Sequence, residues 1–249
     1  MTHVKAGFQF KQFFIGHSLC AMKVGTDSIL LGSWIKPEQA QNVLDIGTGS
    51  GLLAVMLAQK TTFNCQLYGI DIDPDAVKQA KINGLLSPWP NKLNFAHVAL
   101  QDLQHQRHWP QQFDLIVSNP PYFAQNSSSN QQNIQQHDQA RINARQVSCL
   151  GHSELLKYVN VHLSERGTFT CILPADICAK FIQQAQQQQL FVVHQLQVKS
   201  IVGGKITRQI LKFSRYSSET LYDNLLIYSQ AKQYSSQYIE LCRDYYLRF

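Results

Sequence analysis

Three glycines at alternate positions in Val43-Leu-Asp45-Ile-Gly47-Thr48-Gly49-Ser-Gly51 follow an apolar run and open a helix-forming stretch. Such a loop can bend tightly and bring its backbone against a ligand with no Cβ in the way. The spacing is G-x-G-x-G, not the G-x-G-x-x-G of dinucleotide-binding turns, and Asp45 precedes the first glycine. A carboxylate there suits a ligand with an ammonium or sulfonium centre better than a diphosphate. The competing reading is an ordinary glycine-rich turn between strand and helix. Asp71, followed by Ile72, ends the next apolar run, where a carboxylate can accept both hydroxyls of a ribose. Asp102-Leu103 follows the third run. Asp102 there could accept the exocyclic amine of an adenine, or be a plain loop aspartate. Asp73 reads instead as a helix cap, since Pro74 follows it. Carboxylates at three successive strand ends beside a glycine loop describe a cationic ligand containing adenosine, and S-adenosylmethionine meets each demand.

A second constellation, Asn119-Pro120-Pro121-Tyr122, ends the run that begins at Phe113. Prolines fix φ and remove donors, so the Asn119 amide oxygen and the Pro120 carbonyl become two pre-aimed acceptors. A planar NH2 group offers the matching two donors. Tyr122 adds an aromatic face on which a flat substrate can stack. At a strand end of an open α/β sheet this is where ligands bind, so Asn119 should also border the cofactor. A string of prolines before tyrosine could otherwise be only a loop stiffener.

These groups need a scaffold of alternating strands and helices. Apolar runs at Val43–Ile46, Gln66–Ile70, Leu93–Val98, Phe113–Val117, Thr168–Leu173, Leu190–Val198 and Arg208–Phe213 predict seven strands. Leu52–Lys60, Pro74 to about Leu86, His152–Leu163 and Ala175–Gln189 read as helices between them. The expected fold is α/β, one mostly parallel sheet with helices on both faces. Residues 1–35 precede the first strand as an extension and hold a helix at Asp27–Ile35, capped by Thr26 or Asp27; residues 36–249 form the main domain. Residues 123–140 are polar and read as a loop.

Composition narrows the partners. The 249 residues carry 22 Lys and Arg against 16 Asp and Glu, a net charge of +6, which favours an anionic partner and nucleic acid first. Between Ile177 and Ser218 there is no acid, while Lys180, Lys199, Lys205, Arg208, Lys212 and Arg215 are present. With Arg141 and Arg145 they are the candidate phosphate contacts, the alternative being a solvated basic face. Six scattered cysteines form no C-x-x-C pair, so no metal site and buried reduced thiols are expected. No apolar run is long enough to cross a membrane, and the expected location is cytoplasmic.

Asp45–Gly51 with Asn119–Tyr122 resembles the class I, Rossmann-like methyltransferases that use S-adenosylmethionine on amino and amide nitrogens. The opening His17-Ser-Leu-Cys-Ala-Met-Lys23-Val-Gly25-Thr26-Asp27-Ser28 through Trp34 and the closing Tyr238–Phe249 are similar to bacterial valine-tRNA adenine-N6 methyltransferases. That likeness spans almost the whole chain. It implies a seven-stranded sheet with an antiparallel last strand, and a target adenosine just 3′ of the anticodon in valine tRNA. It also implies that Lys23, Gly25 and Thr26 close over the methionine end of the cofactor. Two positions depart from the family pattern: Gln146 stands where histidine usually follows arginine, and Ser28 replaces a common glycine. Release-factor glutamine methyltransferases resemble the chain at Asn119–Tyr122 but lack the His17–Trp34 opening. A binding module without catalysis is disfavoured by Asn119 and Tyr122, and a nicotinamide-dependent oxidoreductase by the glycine spacing and Asp45.

Overall fold

A computed structural model of the chain describes residues 6–37, 39–120, 151–230 and 233–249. An N-terminal hairpin, β1 (Gly7–Gln9) and β2 (Phe14–Gly16), leads to α1 (Thr26–Trp34). The alternating part follows: β3 (Asn42–Ile46), α2 (Leu52–Lys60), β4 (Gln66–Asp71), α3 (Pro74–Leu86), β5 (Leu93–His97), a 3-10 turn (Leu100–His105) and β6 (Phe113–Ser118). Beyond residue 150 come α4 (His152–His162), β7 (Leu163–Pro174), α5 (Ala175–Gln187), β8 (Phe191–Ile201), β9 (Ile206–Ser214), β10 (Leu221–Tyr228) and α6 (Ser236–Cys242).

The main sheet runs β10-β8-β9-β7-β6-β3-β4-β5, and only β9 is antiparallel to its neighbours. The chain winds outward from β3 through β4 and β5, then restarts on the other side at β6. The switch point therefore lies between β3 and β6, the crevice where open α/β sheets bind ligands. Successive residues face opposite layers, so Val43, Leu67 and Val117 join one core and Leu44, Ile70 and Ile116 the other. The first layer is covered by the N-terminal hairpin, α1, α2 and α6, and the second by α4, α5 and the 3-10 turn.

The sheet has eight strands, not the seven expected from sequence. The seventh, β9, is the antiparallel one, and β10 adds a parallel edge beyond β8. β10 escapes a periodicity search because Leu221–Asn224 are all exposed and only Leu225 and Ile227 are buried. β7 starts at Leu163 rather than Thr168, its polar first half pairing irregularly with β6. The N-terminal hairpin was likewise unforeseen. Phe10, Phe13 and Ile15 are buried in the first core, and Phe13 meets the Tyr245 ring edge-on. The Tyr245 hydroxyl donates to the Met56 carbonyl at 2.9 Å. Lys11 Nζ donates to the carbonyls of Arg243 and Phe249, joining the two ends of the chain. All five described cysteines are free thiols. Among the described residues no helix is long and apolar enough to cross a membrane, and no His, Cys, Asp or Glu cluster could hold a metal ion.

Candidate active site

The register places the two sequence constellations side by side. Ile46 pairs with Ser118 across the β3–β6 seam, and the Ser118 hydroxyl donates to the Ile46 carbonyl at 2.9 Å. The next residues, Gly47 and Asn119, leave the sheet next to each other at the switch point. On the other flank Ile46 pairs with Ile70, so Asp71 leaves β4 beside the same loop.

The glycine loop is held open by its backbone. Gly47, Gly49 and Gly51 all have positive φ, at 71°, 54° and 80°. The Gly47 and Thr48 amides both donate to the Ile70 carbonyl at 2.9 Å, fixing the loop to β4. A Cβ built on Gly47 or Gly49 would meet no described atom within 4 Å; one on Gly51 would lie 3.0 Å from Phe95 Cζ and 3.2 Å from Ala80 Cβ. The first two glycines thus border a cradle, while the third lets α2 pack on its neighbours.

Two carboxylates meet this loop. Asp45 is 1% exposed; its Oδ2 accepts from the Thr48 hydroxyl at 2.7 Å. Its Oδ1 is buried and has no donor in hydrogen-bonding geometry among the described residues. Burial pushes the Asp45 carboxyl up to about 7; the Thr48 hydroxyl and the Ala54 backbone amide oppose the rise, and the nearby Asp71 charge adds to it. Asp71 accepts the Gly49 amide on Oδ2 and the Asp73 amide on Oδ1, both at 2.9 Å. Burial raises it too, against those amide bonds. Adjacent carboxyls that resist ionisation, one buried and one half-buried, are stabilised as anions by a cation placed between them. Together, the cradle at Gly47 and Gly49, the buried Asp45 carboxyl beneath it and this electrostatic demand fit S-adenosylmethionine.

Ile72, Val98, Ala99 and Asp102 line one depression of about 380 Å³ at the ends of β4 and β5, with His97. His97 hydrogen-bonds through Nε2 to the Ile72 carbonyl at 3.0 Å. Ile72 is 38% exposed there, an apolar surface suited to a flat base, and Asp102 stands at the rim. The Leu103 side chain is fully buried beneath, so any ligand contact from it falls to its backbone. Asp73 caps α3 as expected, accepting from the Asp75 and Ala76 amides.

Residues 16–28 pass over this end of the sheet. The buried Asn83 on α3 accepts the Gly16 amide at 2.9 Å and donates to the carbonyls of Gly16 and Ser50, both at 2.8 Å. Gln79, one turn earlier, accepts the Leu19 amide at 3.3 Å. These two amides tie the N-terminal segment to the glycine loop. Sequence reasoning missed them, although buried Asn and Gln on an amphipathic helix were a readable signal. Lys23, Gly25 and Thr26 are exposed, and Gly25, not Thr26 or Asp27, is the N-cap of α1. In the first turn of α1, Asp27 Oδ2 accepts from Arg208 Nε at 2.9 Å and Ser28 Oγ accepts from Asn119 Nδ2 at 2.8 Å. Asn119 and the buried Pro120 are thus brought beside both α1 and the glycine loop. Pro121, Tyr122, Arg141, Arg145 and Gln146 lie outside the described residues. Of the basic candidates, Lys199 and Lys205 are exposed on the β8–β9 hairpin, at the same end of the sheet. Arg208 is engaged with Asp27, and Arg215 donates to Asn160 and to the Leu163 carbonyl.

Residues 18–142 match the methyltransferase small domain family. The chain is 43% identical to a tRNA1(Val) (adenine(37)-N6)-methyltransferase of Pseudoalteromonas atlantica, covering 98% of this chain and 99% of that protein. It is 41% identical to the protein of the same name from Yersinia pestis, covering 98% and 94%. Among solved structures it is similar to a predicted O-methyltransferase from Agrobacterium tumefaciens, with a TM-score of 0.67 at 12% identity over 88% of this chain and 96% of that one. It also resembles a TehB-like SAM-dependent methyltransferase from Corynebacterium glutamicum, with a TM-score of 0.51 at 16% identity over 77% and 89%. The two structures share the fold. Near-complete coverage at this identity, on a methyltransferase fold with the glycine loop and Asn119 at its switch point, places the chain in the tRNA1(Val) (adenine(37)-N6)-methyltransferase family.

Proposed function

We propose that the chain transfers a methyl group from S-adenosylmethionine to the exocyclic N6 of adenosine 37 in a valine tRNA, the reaction named for its relatives. When bound, the cofactor supplies an electrophilic methyl carbon on a sulfonium. Gly47, Thr48 and Gly49 form its cradle and Asp45 balances its positive charge. Asp71 takes the ribose hydroxyls, and Ile72, Asp102 and the Leu103 backbone receive the adenine. Lys23, Gly25 and Thr26 border the methionine end.

The target adenine must leave its stack to reach such a pocket. Asn119 Oδ1 and the Pro120 carbonyl accept its two N6 hydrogens, and Tyr122 stacks on the ring. Accepting both hydrogens orients the nitrogen lone pair and favours the positive charge that develops on the amine, so positioning and electrostatics carry the rate. Lys199 and Lys205 offer cations to tRNA phosphates at that end of the sheet, with Arg141 and Arg145 as further candidates. The observation that carries this reading is the β3–β6 register, which sets Asn119 beside Gly47. The test incubates the protein and radiolabelled methyl donor with total tRNA and identifies the modified nucleoside. N6-methyladenosine in valine tRNA is expected, with kcat reduced at least a hundredfold by Asn119→Ala while cofactor affinity is kept. Label in another nucleoside, or near-normal turnover of that variant, overturns it.

A further inference from the structure

We propose that Ser28 is a positioning residue that anchors the Asn119 side chain at the switch point, where it would receive an amino group. The inference rests on the reading of Asn119 as an acceptor for the target nitrogen. An Asn side chain has two unlike ends, an oxygen that accepts and an NH2 that donates. In the structure the Asn119 NH2 group is occupied from the side: Nδ2 donates to Ser28 Oγ at 2.8 Å. In a planar amide, Oδ1 then points to the other side of the carbonyl carbon from that bond.

The anchor is itself fixed. Ser28 lies in the first turn of α1, whose Ile29, Leu30 and Leu31 are buried. The preceding residue, Asp27, is bound to Arg208 Nε at 2.9 Å, tying this turn to β9. At the other end of the helix, Lys60 Nζ donates to the carbonyls of Gly32, Ser33 and Ile35 at 2.9, 2.5 and 2.9 Å. The Ser28 hydroxyl therefore stands on an element secured at both ends.

The experiment uses the full chain and valine tRNA, with kcat, the KM for tRNA, the cofactor Kd by calorimetry and the melting temperature measured for each variant. Ser28→Ala deletes the hydroxyl while improving helix propensity, so the fold is kept. It should reduce kcat roughly three- to tenfold, the worth of one hydrogen bond, and leave cofactor Kd and melting temperature in place. Ser28→Thr, which retains the hydroxyl, should restore most of the rate. Because Ser28 acts through Asn119, adding Ser28→Ala to Asn119→Ala should cost nothing further. Unchanged turnover of Ser28→Ala beside a crippled Asn119→Ala sinks this inference and leaves the proposed acceptor role standing. A double variant that loses the product of the two single effects, or a Ser28→Ala loss confined to cofactor Kd, also overturns it. Near-normal turnover of Asn119→Ala removes both.

Discussion

Gly49→Ala and Gly51→Ala change the same loop by one methyl each, and the structure assigns them different consequences. Both residues sit at positive φ, 54° and 80°, where a side chain costs about 1–2 kcal/mol. At Gly49 that strain is the whole effect on folding, since no described atom lies within 4 Å of the new carbon. The Gly49 amide survives the substitution and still reaches Asp71 Oδ2. At Gly51 the carbon adds overlap with Phe95 and Ala80, at 3.0 and 3.2 Å, worth a further ~1–3 kcal/mol of overpacking. For a chain of this length about 2–4 °C accompany each kcal/mol, so Gly49→Ala should melt ~4 °C and Gly51→Ala ~10 °C below the parent. Cofactor affinity should rank the other way. The Gly49 methyl enters the cradle and should weaken S-adenosylmethionine at least ~10-fold, about 1.4 kcal/mol. Gly51→Ala, assayed well below its transition, should stay within about threefold of the parent. Differential scanning calorimetry and isothermal titration measure both quantities on the same samples. Parental affinity in Gly49→Ala, or a Gly51→Ala that melts no lower than Gly49→Ala, would refute the division of labour between the glycines.

Asp45 predicts a pH signature. Its carboxyl is held up to about 7 when folded against 3.8 in an unfolded chain, so between these values the native state binds the extra proton. Its contribution to stability is therefore complete below about 4, declines as pH rises to about 7 and is level above; Asp45→Asn should abolish that slope in urea denaturation across the range. A cationic ligand prefers the carboxylate, so cofactor binding below about 7 should expel a proton, seen as a heat that varies with buffer ionisation enthalpy. A heat independent of buffer would contradict it. Lys60→Met strips three carbonyls at the end of α1 of their donor and should cost about 2–3 kcal/mol, read as a melting point lower by ~6–9 °C.

Much of the candidate site's local geometry is legible in the sequence because it is short-range. Glycine spacing, Asp71 at a strand end and the Asp73-Pro74 cap are each decided by a few neighbouring residues, and each lies where the pattern put it. What stayed hidden depends on pairs far apart in the chain. The amides of Asn83 and Gln79 find Gly16 and Leu19 across a distance no local pattern encodes. Arg208, grouped by its charge with the phosphate-binding candidates, is engaged with Asp27 from the far end of the sequence. Ser28, in sequence only a departure from glycine, lies against Asn119. β10 was lost for a different reason: an edge strand buries little, so burial periodicity, the signal sequence reading relies on, is present in only half of it.

The contacts of Lys11 with Arg243 and Phe249, and of Tyr245 with Phe13 and Met56, bind the order of synthesis to the order of folding. The hairpin is synthesised before these partners, so its apolar residues wait for the aromatic plug that seals them. Until then the layer over α2 shows bare hydrocarbon to chaperones and proteases. A chain truncated before residue 245 would lack the ring that meets Phe13 and the hydroxyl that holds the Met56 carbonyl, and would leave that layer open.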